Sequence, residues 1–230
     1  PSPNIWHWPQ LYEVENRAQD VTDEIFPAIR RACDWTGLDV VDVGCGDGFH
    51  LPAFAETARS VVGVEPHSPL AEHARVRVQD VEHVDVRTAP AQRLPLADSS
   101  VDLVHARTAY FFGPGCEPGM VEAERVLRPG GSLVIVDLDA ACGPYGDWMR
   151  EDSPHYDPVL VESFFARHGF YSTRPDTLWR FEDRTSLEAV LRIEFSPKVA
   201  RRAARECVGH AIPVGYRLRV RRKPTGLLLR

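Results

Sequence analysis

The run Val40-Val41-Asp42-Val43-Gly44-Cys45-Gly46-Asp47-Gly48 constrains the fold more than any other stretch of the chain. Three β-branched valines suit a strand covered on both faces. The glycines that follow lack a Cβ, so the chain can turn sharply and a ligand can approach its backbone. A helix beginning near Asp47 is expected to complete a strand–turn–helix unit, with free N–H groups and a positive dipole end at the turn. Open α/β sheets place their ligand crevice outside the carboxyl ends of such strands. The expected ligand is nucleotide-like.

The spacing narrows the choice. A dinucleotide turn needs G-x-G-x-x-G, and its third glycine position is occupied here by Phe49, too bulky for close helix–strand packing. No G-K-[ST] follows, which excludes a P-loop. With Asp42 in front, the pattern D-x-G-x-G-x-G resembles motif I of the class I S-adenosylmethionine-dependent methyltransferases. Ser60-Val61-Val62-Gly63-Val64-Glu65 is a second apolar strand ending in an acid, about 20 residues on, the spacing of a ribose-binding carboxylate. A carboxylate has only acceptor oxygens and suits a pair of hydroxyl donors.

Ala89-Pro90-Ala91-Gln92-Arg93-Leu94-Pro95-Leu96 resembles the family's adenine-edge loop, with Pro90 in place of its usual acid. Asp98-Ser99-Ser100-Val101-Asp102-Leu103-Val104 resembles its fourth strand. Arg125 to Val136, with Pro129-Gly130-Gly131 inside, resembles its helix–turn–fifth-strand signature. These matches run in order over residues 38–138 and are most similar to the small-molecule group that includes the ubiquinone/menaquinone-type (methyltransferase type 11) enzymes. The resemblance implies a Rossmann-like, doubly wound α/β fold. Its seven-stranded sheet is mostly parallel, with the last strand antiparallel and helices on both faces. It also implies S-adenosyl-L-methionine as cofactor, with contacts from Asp42, Gly44, Cys45, Gly46, Glu65, Pro66, Leu70, Ala91, Gln92, Ala106 and Arg107. Among these, Glu65 is the ribose clamp, Leu70 packs on adenine, and Ala106 and Arg107 line the methionine end.

The 230 residues are enough for one large domain. It divides into an N-terminal helical arm (1–36), a cofactor-binding core (37–142), and substrate-side helices with closing strands (143–230). Within it, strands are expected near 39–43, 60–65, 83–88, 100–106 and 131–138, with helices between them. Pro9 opens a helix, and Val21, Ile25, Ile29 and Ala32 recur at helical spacing. Residues 139–154, rich in Gly and Pro, read as a long loop. A helix from Pro158 to His168 is expected to bury Val159, Leu160, Phe164 and Phe165. Two helices split at Pro197 follow a strand at 177–181. The alternation Val214 to Val220 gives a last strand, with Arg217, Arg219 and Arg221 on its solvent face.

Five scattered cysteines, without C-x-x-C spacing, fit a reducing cytoplasm, and Cys45 reads as a small packing residue. No leader for export is apparent, and no run reaches the ~20 apolar residues of a membrane span. A net charge of −6 argues against a broad nucleic-acid surface. The expected partner is a small-molecule substrate, with the protein a monomer or homodimer. The nine histidines and the cysteines show no spacing for a metal site. Methyl transfer from a sulfonium needs alignment and water exclusion more than acid–base help, so no base is demanded. Candidates are Tyr110, His7 and His50, with Tyr12 and His155 as further possible contacts. Arg107 suits either an anionic substrate or a structural acid. Trp6, Trp8 and Tyr12 could line an aromatic or cationic substrate or anchor the arm. The expected activity is methylation of O, N or C on a small metabolite; the alternative is a non-catalytic S-adenosylmethionine-binding sensor or partner subunit.

Overall fold

The computed structural model describes residues 4–226. In chain order the helices are α1 Asn4–His7, α2 Pro9–Ala18, α3 Ile25–Ala32, α4 Leu51–Ala55, α5 Ser68–Val78 and α6 Glu117–Val126, then α7 Tyr145–Asp152, α8 Pro158–Arg167, α9 Arg184–Glu194 and α10 Pro197–Glu206. The strands are β1 Asp39–Val43, β2 Ser60–Val64, β3 Val84–Arg87, β4 Val101–Arg107, β5 Leu127–Leu138, β6 Tyr171–Thr173, β7 Asp176–Arg180 and β8 Ala211–Arg222. Two compact units emerge. The larger comprises Ile29–Asp137, Val161–Thr173 and residues from Leu218 onward; the smaller comprises residues 4–28, Leu138–Leu160 and Arg174–Arg217.

The larger unit carries the sheet, in the order β3-β2-β1-β4-β5-β8-β6. β1 pairs in parallel with β2 and β4, β2 with β3, and β4 with β5. This is the doubly wound arrangement, in which β1 sits beside the switch in strand order. Val40, Val41 and Val43 are buried as expected, as are Val61, Val64, Leu103 and Val104. β6 pairs antiparallel with the 218–220 part of β8.

Eight strands are present among the described residues, against seven expected. Strand 177–181 does form, as β7, but it lies off the main path of the sheet. The short strand Tyr171–Thr173, too brief to show an alternation, takes the place next to β8. β8 is long enough to serve two partners, pairing with β7 through Ala211–Gly215 and with β6 through Leu218–Val220. β5 starts earlier than Pro129-Gly130-Gly131 suggested. Leu127 pairs with Val101 and Ser132 with Leu103, so the intervening residues form a bulge.

Further expectations are corrected. Residues 139–154 are not one loop, because Tyr145–Asp152 is a helix whose Tyr145 and Trp148 are buried at helical spacing. In α8 the buried side chains are Val161, Phe164 and Phe165, whereas Val159 is 73% and Leu160 51% exposed. Helical geometry puts 161, 164 and 165 on one stripe and turns 159 and 160 away from it.

Arg219 does not face solvent; it is 1% exposed. It donates through Nε and Nη2 to Glu162 Oε1 at 3.1 and 2.7 Å, and its guanidinium lies 4.5 Å from the Phe165 ring centre. Asp137 Oδ2 lies 3.7 Å from Nη1. Arg217, in the smaller unit, reaches the buried Asp139 at 3.1 Å, and Arg174 reaches the same carboxylate at 2.7 Å. A guanidinium fork is the cation best able to bury itself against carboxylates.

The helix pair split at Pro197 forms as expected, with Pro197 at the first position of α10 and Asp183 capping α9 by accepting from Ser186 N–H at 2.7 Å. No described helix is long and apolar enough to cross a membrane.

Candidate cofactor site

The glycine turn folds back on the end of β2. Gly44 and Cys45 donate their N–H groups to Val64 O at 2.7 and 3.2 Å, and Gly48 donates to Cys45 O at 2.9 Å. Gly46 N–H donates to Glu65 Oε2 at 3.0 Å, and His67 N–H to Glu65 Oε1 at 2.9 Å. The acid expected to clamp a ribose is thus fixed to the motif I turn itself. Glu65 is 4% exposed. Burial pushes its carboxyl above the usual carboxylate range, and the two amide bonds oppose that rise.

These bonds correct one expectation. The following helix begins at Leu51, not near Asp47, and is five residues long. The amides of Gly44, Cys45, Gly46 and Gly48 are committed inside the fold, so the turn is not a phosphate cradle, which needs such donors aimed at its anion. It is instead a surface for close backbone approach. Gly44 has φ of +74°, and a Cβ there would come within 2.4 Å of Ala109 Cβ. Only glycine satisfies both conditions. A ligand without phosphate groups fits this turn.

Asp42 lies at 3% exposure beneath the turn, its Oδ1 2.7 Å from Nδ1 of the fully buried His105. The parallel register places Asp42 opposite His105, whose ring packs 4.8 Å from Phe54. With a carboxylate as acceptor, Nδ1 is the donor. His105 was absent from the sequence expectations. The only signal for it was strand register, which a single sequence does not display. Asp47 is held by Arg77 at 2.8 Å, and the Arg77 guanidinium lies 5.6 Å from the Phe49 ring. Phe49, unsuitable for a dinucleotide turn, is thereby accommodated. Cys45 behaves as a packing residue: a Cβ on Gly63 would touch its Sγ at 2.8 Å, and burial pushes its thiol pKa well up.

Beyond the carboxyl ends of β2 and β3, Leu70 and Ala91 are buried, Pro66 and Gln92 exposed. The loop after β3 is pinned by α6. Glu122 Oε1 accepts from Leu94 N–H at 2.8 Å, while Arg125 donates to Leu94 O at 3.1 Å and Leu96 O at 2.9 Å. Ala106 is fully buried and Arg107 is 9% exposed at the end of β4.

Of the candidate bases, Tyr110 and His50 belong to the larger unit, and His7, Tyr12 and His155 to the smaller. His50 is held neutral, because burial first and then its neighbours, Arg107 foremost, push its pKa well below the usual range. Tyr110 keeps its proton at neutral pH, because burial raises its pKa.

Strand order and turn geometry together define a doubly wound α/β domain whose glycine turn suits a phosphate-free ligand. Residues 41–135 match the family model described as Methyltransferase domain. That segment is similar to the class I S-adenosylmethionine-dependent methyltransferases. The chain is similar to Methyltransferase GfsG of Streptomyces halstedii, 32% identical over 139 residues, covering 57% of this chain and 49% of that protein. It is also similar to the ubiquinone/menaquinone biosynthesis C-methyltransferase UbiE of Rubrivivax gelatinosus, 29% identical over 170 residues, covering 71% and 64%. Among solved structures, the YcgJ protein of Bacillus subtilis shares the fold, with a TM-score of 0.62 at 17% identity over 87% of this chain and 98% of that one. The chain spans 31 to 52% of the length of several curated relatives that it matches.

S-adenosylmethionine is the cofactor that this family implies. The residues present fit it. The turn keeps the amides of Gly44, Cys45, Gly46 and Gly48 within the fold and so suits a ligand without phosphates, and the buried Glu65 beside it has acceptor capacity beyond its two amide bonds.

Proposed function

We propose that the chain is an S-adenosylmethionine-dependent methyltransferase that transfers a methyl group to O, N or C of a small metabolite by in-line displacement. The observation that carries this reading is the bond from Gly46 N–H to Glu65, which unites the glycine turn and the ribose acid in one rigid piece. When bound, the cofactor supplies an electrophilic methyl on a sulfonium, a leaving group that needs no protonation.

The roles assigned to the chain follow from that. Gly44 and Gly46 allow the cofactor against the backbone, Glu65 accepts from the ribose hydroxyls, and Leu70, Ala91 and Gln92 face the adenine. Asp42, through His105, keeps the turn in place. Cys45 and Pro66 complete the walls beside the turn, and Ala106 and Arg107 border the methionine end. With Tyr110 protonated and His50 neutral, the larger unit offers alignment and water exclusion rather than a strong base. The match to a UbiE-type C-methyltransferase supports a small-molecule acceptor.

Titration calorimetry with S-adenosylmethionine and S-adenosylhomocysteine tests the reading. Binding at micromolar levels is expected. Gly44→Ala, strained by about 1–3 kcal/mol at its positive φ and overlapping Ala109, should weaken it at least tenfold, and Glu65→Ala should do the same. No binding by the native chain at millimolar cofactor would refute the proposal. Release of S-adenosylhomocysteine on incubation with a metabolite extract tests turnover.

A further inference from the structure

The segment after β4 adopts a conformation that its own residues do not favour. Thr108 has φ of +46° and Tyr110 φ of +56°, and neither is glycine. Such backbone persists where the surroundings over-determine it, and here they do so at two residues on either side of Ala109. Ala109 Cβ occupies the space over Gly44 that a side chain would need. The Tyr110 ring occupies the space over Gly119, where a Cβ would come within 2.2 Å of ring atom Cε1. Two glycines in distant parts of the chain are therefore each filled by one residue of this loop.

The Tyr110 hydroxyl has polar neighbours. It lies beside the Gln92 side chain in the loop after β3 and the Gly119 backbone N–H, and both oppose the rise that burial gives its pKa. Gly119 is the third residue of α6, so its N–H is among those with no acceptor inside the helix. The ring also meets Phe111 edge-on at 5.1 Å, and Phe112 N–H donates back to Tyr110 O at 3.0 Å. α6 in turn holds the 94–96 backbone through Glu122 and Arg125. One side chain thus joins three pieces: the loop carrying Gln92, the start of α6, and the loop that touches the glycine turn.

We propose that Tyr110 is a positioning residue, a clasp that ties the loop on the adenine side of the cofactor site to the loop after β4. Order at one end of the cofactor site is thereby transmitted to the other. The clasp rests on the cofactor reading above for its ligand, but not for its geometry. Occupancy of the adenine side tightens the Gln92 loop, and through the hydroxyl it fixes residues 108–110 against Gly44. The role differs from that of a base: the hydroxyl keeps its proton and acts through these contacts.

Tyr110→Phe tests this, because it keeps the ring over Gly119 and removes only the hydroxyl. Without any ligand, amide hydrogen exchange at Gly119 is expected to quicken about fivefold or more, the weight of one neutral hydrogen bond, with the thermal midpoint nearly unchanged. Affinity for S-adenosylhomocysteine and for adenosine should fall by a similar factor of about five. Combined with Gln92→Leu, the loss should be no greater than that of the worse single variant, since both remove the same contact. Unchanged Gly119 exchange, or losses that simply multiply, would overturn the clasp. If the native chain fails to bind S-adenosylhomocysteine at all, the cofactor reading falls instead. The exchange measurement, made without ligand, still decides the clasp.

Discussion

The two compact units each hold a carboxylate at the centre of a polar cluster, Glu65 in the larger and Glu194 in the smaller, by different means. In the larger, the key carboxylate is held by backbone: Glu65 accepts from Gly46 and His67 N–H groups, both close to it or to the adjacent strand end. In the smaller, buried polar groups hold one another by side chains drawn from remote parts of the chain. Asn4 Nδ2 donates to Glu194 Oε1 at 2.8 Å, and Tyr145 Oη lies 3.4 Å from Glu194 Oε2. Glu15 lies beside Glu194 and accepts from Gln19 at 2.9 Å. Tyr216 Oη donates to Gln19 Oε1 at 3.2 Å and accepts from Trp179 Nε1 at 3.1 Å. A backbone-held site keeps its shape through many side-chain changes. A side-chain network depends on each member, because a half-satisfied buried network is costly.

The largest test of this contrast lies at an exception within the larger unit, where the Arg219 ion pairs do use side chains. Arg219→Ala leaves Glu162 and Asp137 without their buried cation and should cost about 3–5 kcal/mol, measured by urea unfolding. A loss below about 1 kcal/mol would show that this region tolerates side-chain loss as the glycine turn does.

A smaller effect is expected in the network of the smaller unit. Glu194→Ala removes the acceptor of Asn4 and the partner of Glu15, at a cost of about 1–3 kcal/mol. Its pH dependence sharpens the comparison. Burial raises the Glu194 carboxyl above the usual range, so the folded chain holds that proton more tightly than the unfolded one. Its contribution to stability is greatest below the unfolded value and is lost as pH rises through the folded one. Glu194→Gln should flatten this part of the stability–pH curve, and an unaltered curve would contradict the assignment.

The smallest expected effect belongs to Thr177, whose Oγ1 donates to Val214 O at 2.9 Å alongside an intact β7–β8 ladder. Thr177→Val should cost about 1 kcal/mol in thermal unfolding. A larger loss would mean that the backbone ladder there depends on its side chains.

The contrast also explains what could be read in advance. Strands β1 to β4, the glycine turn at Gly44–Gly48 and the strand-end position of Glu65 were legible because each depends on a few neighbouring residues and a fixed spacing. The helix Tyr145–Asp152 was obscured by Gly143, Pro144 and Gly146, which locally resemble loop chemistry. Its burial comes from Tyr145 packing 5.1 Å from Trp179 and 5.2 Å from Phe195, contacts that span dozens of residues. Val159 and Leu160 were expected inside because they are apolar, yet exposed apolar residues are common; which stripe of α8 is covered depends on what packs there. The arginines of β8 alternate in sequence as a solvent face would, and only the carboxylates of Asp137 and Glu162 make Arg219 an interior residue.

The sequence alone determined the α/β alternation, the position of the glycine turn and the acid at the end of the next strand, since hydrophobic period, glycine and strand-end spacing are local properties. Tertiary structure decided three further things. The amides of the turn serve Val64 and Glu65 rather than an anion, His105 lies under Asp42, and the Tyr110 ring fills the space over Gly119. Each depends on strand register or loop approach, and those are fixed only when distant segments pack together.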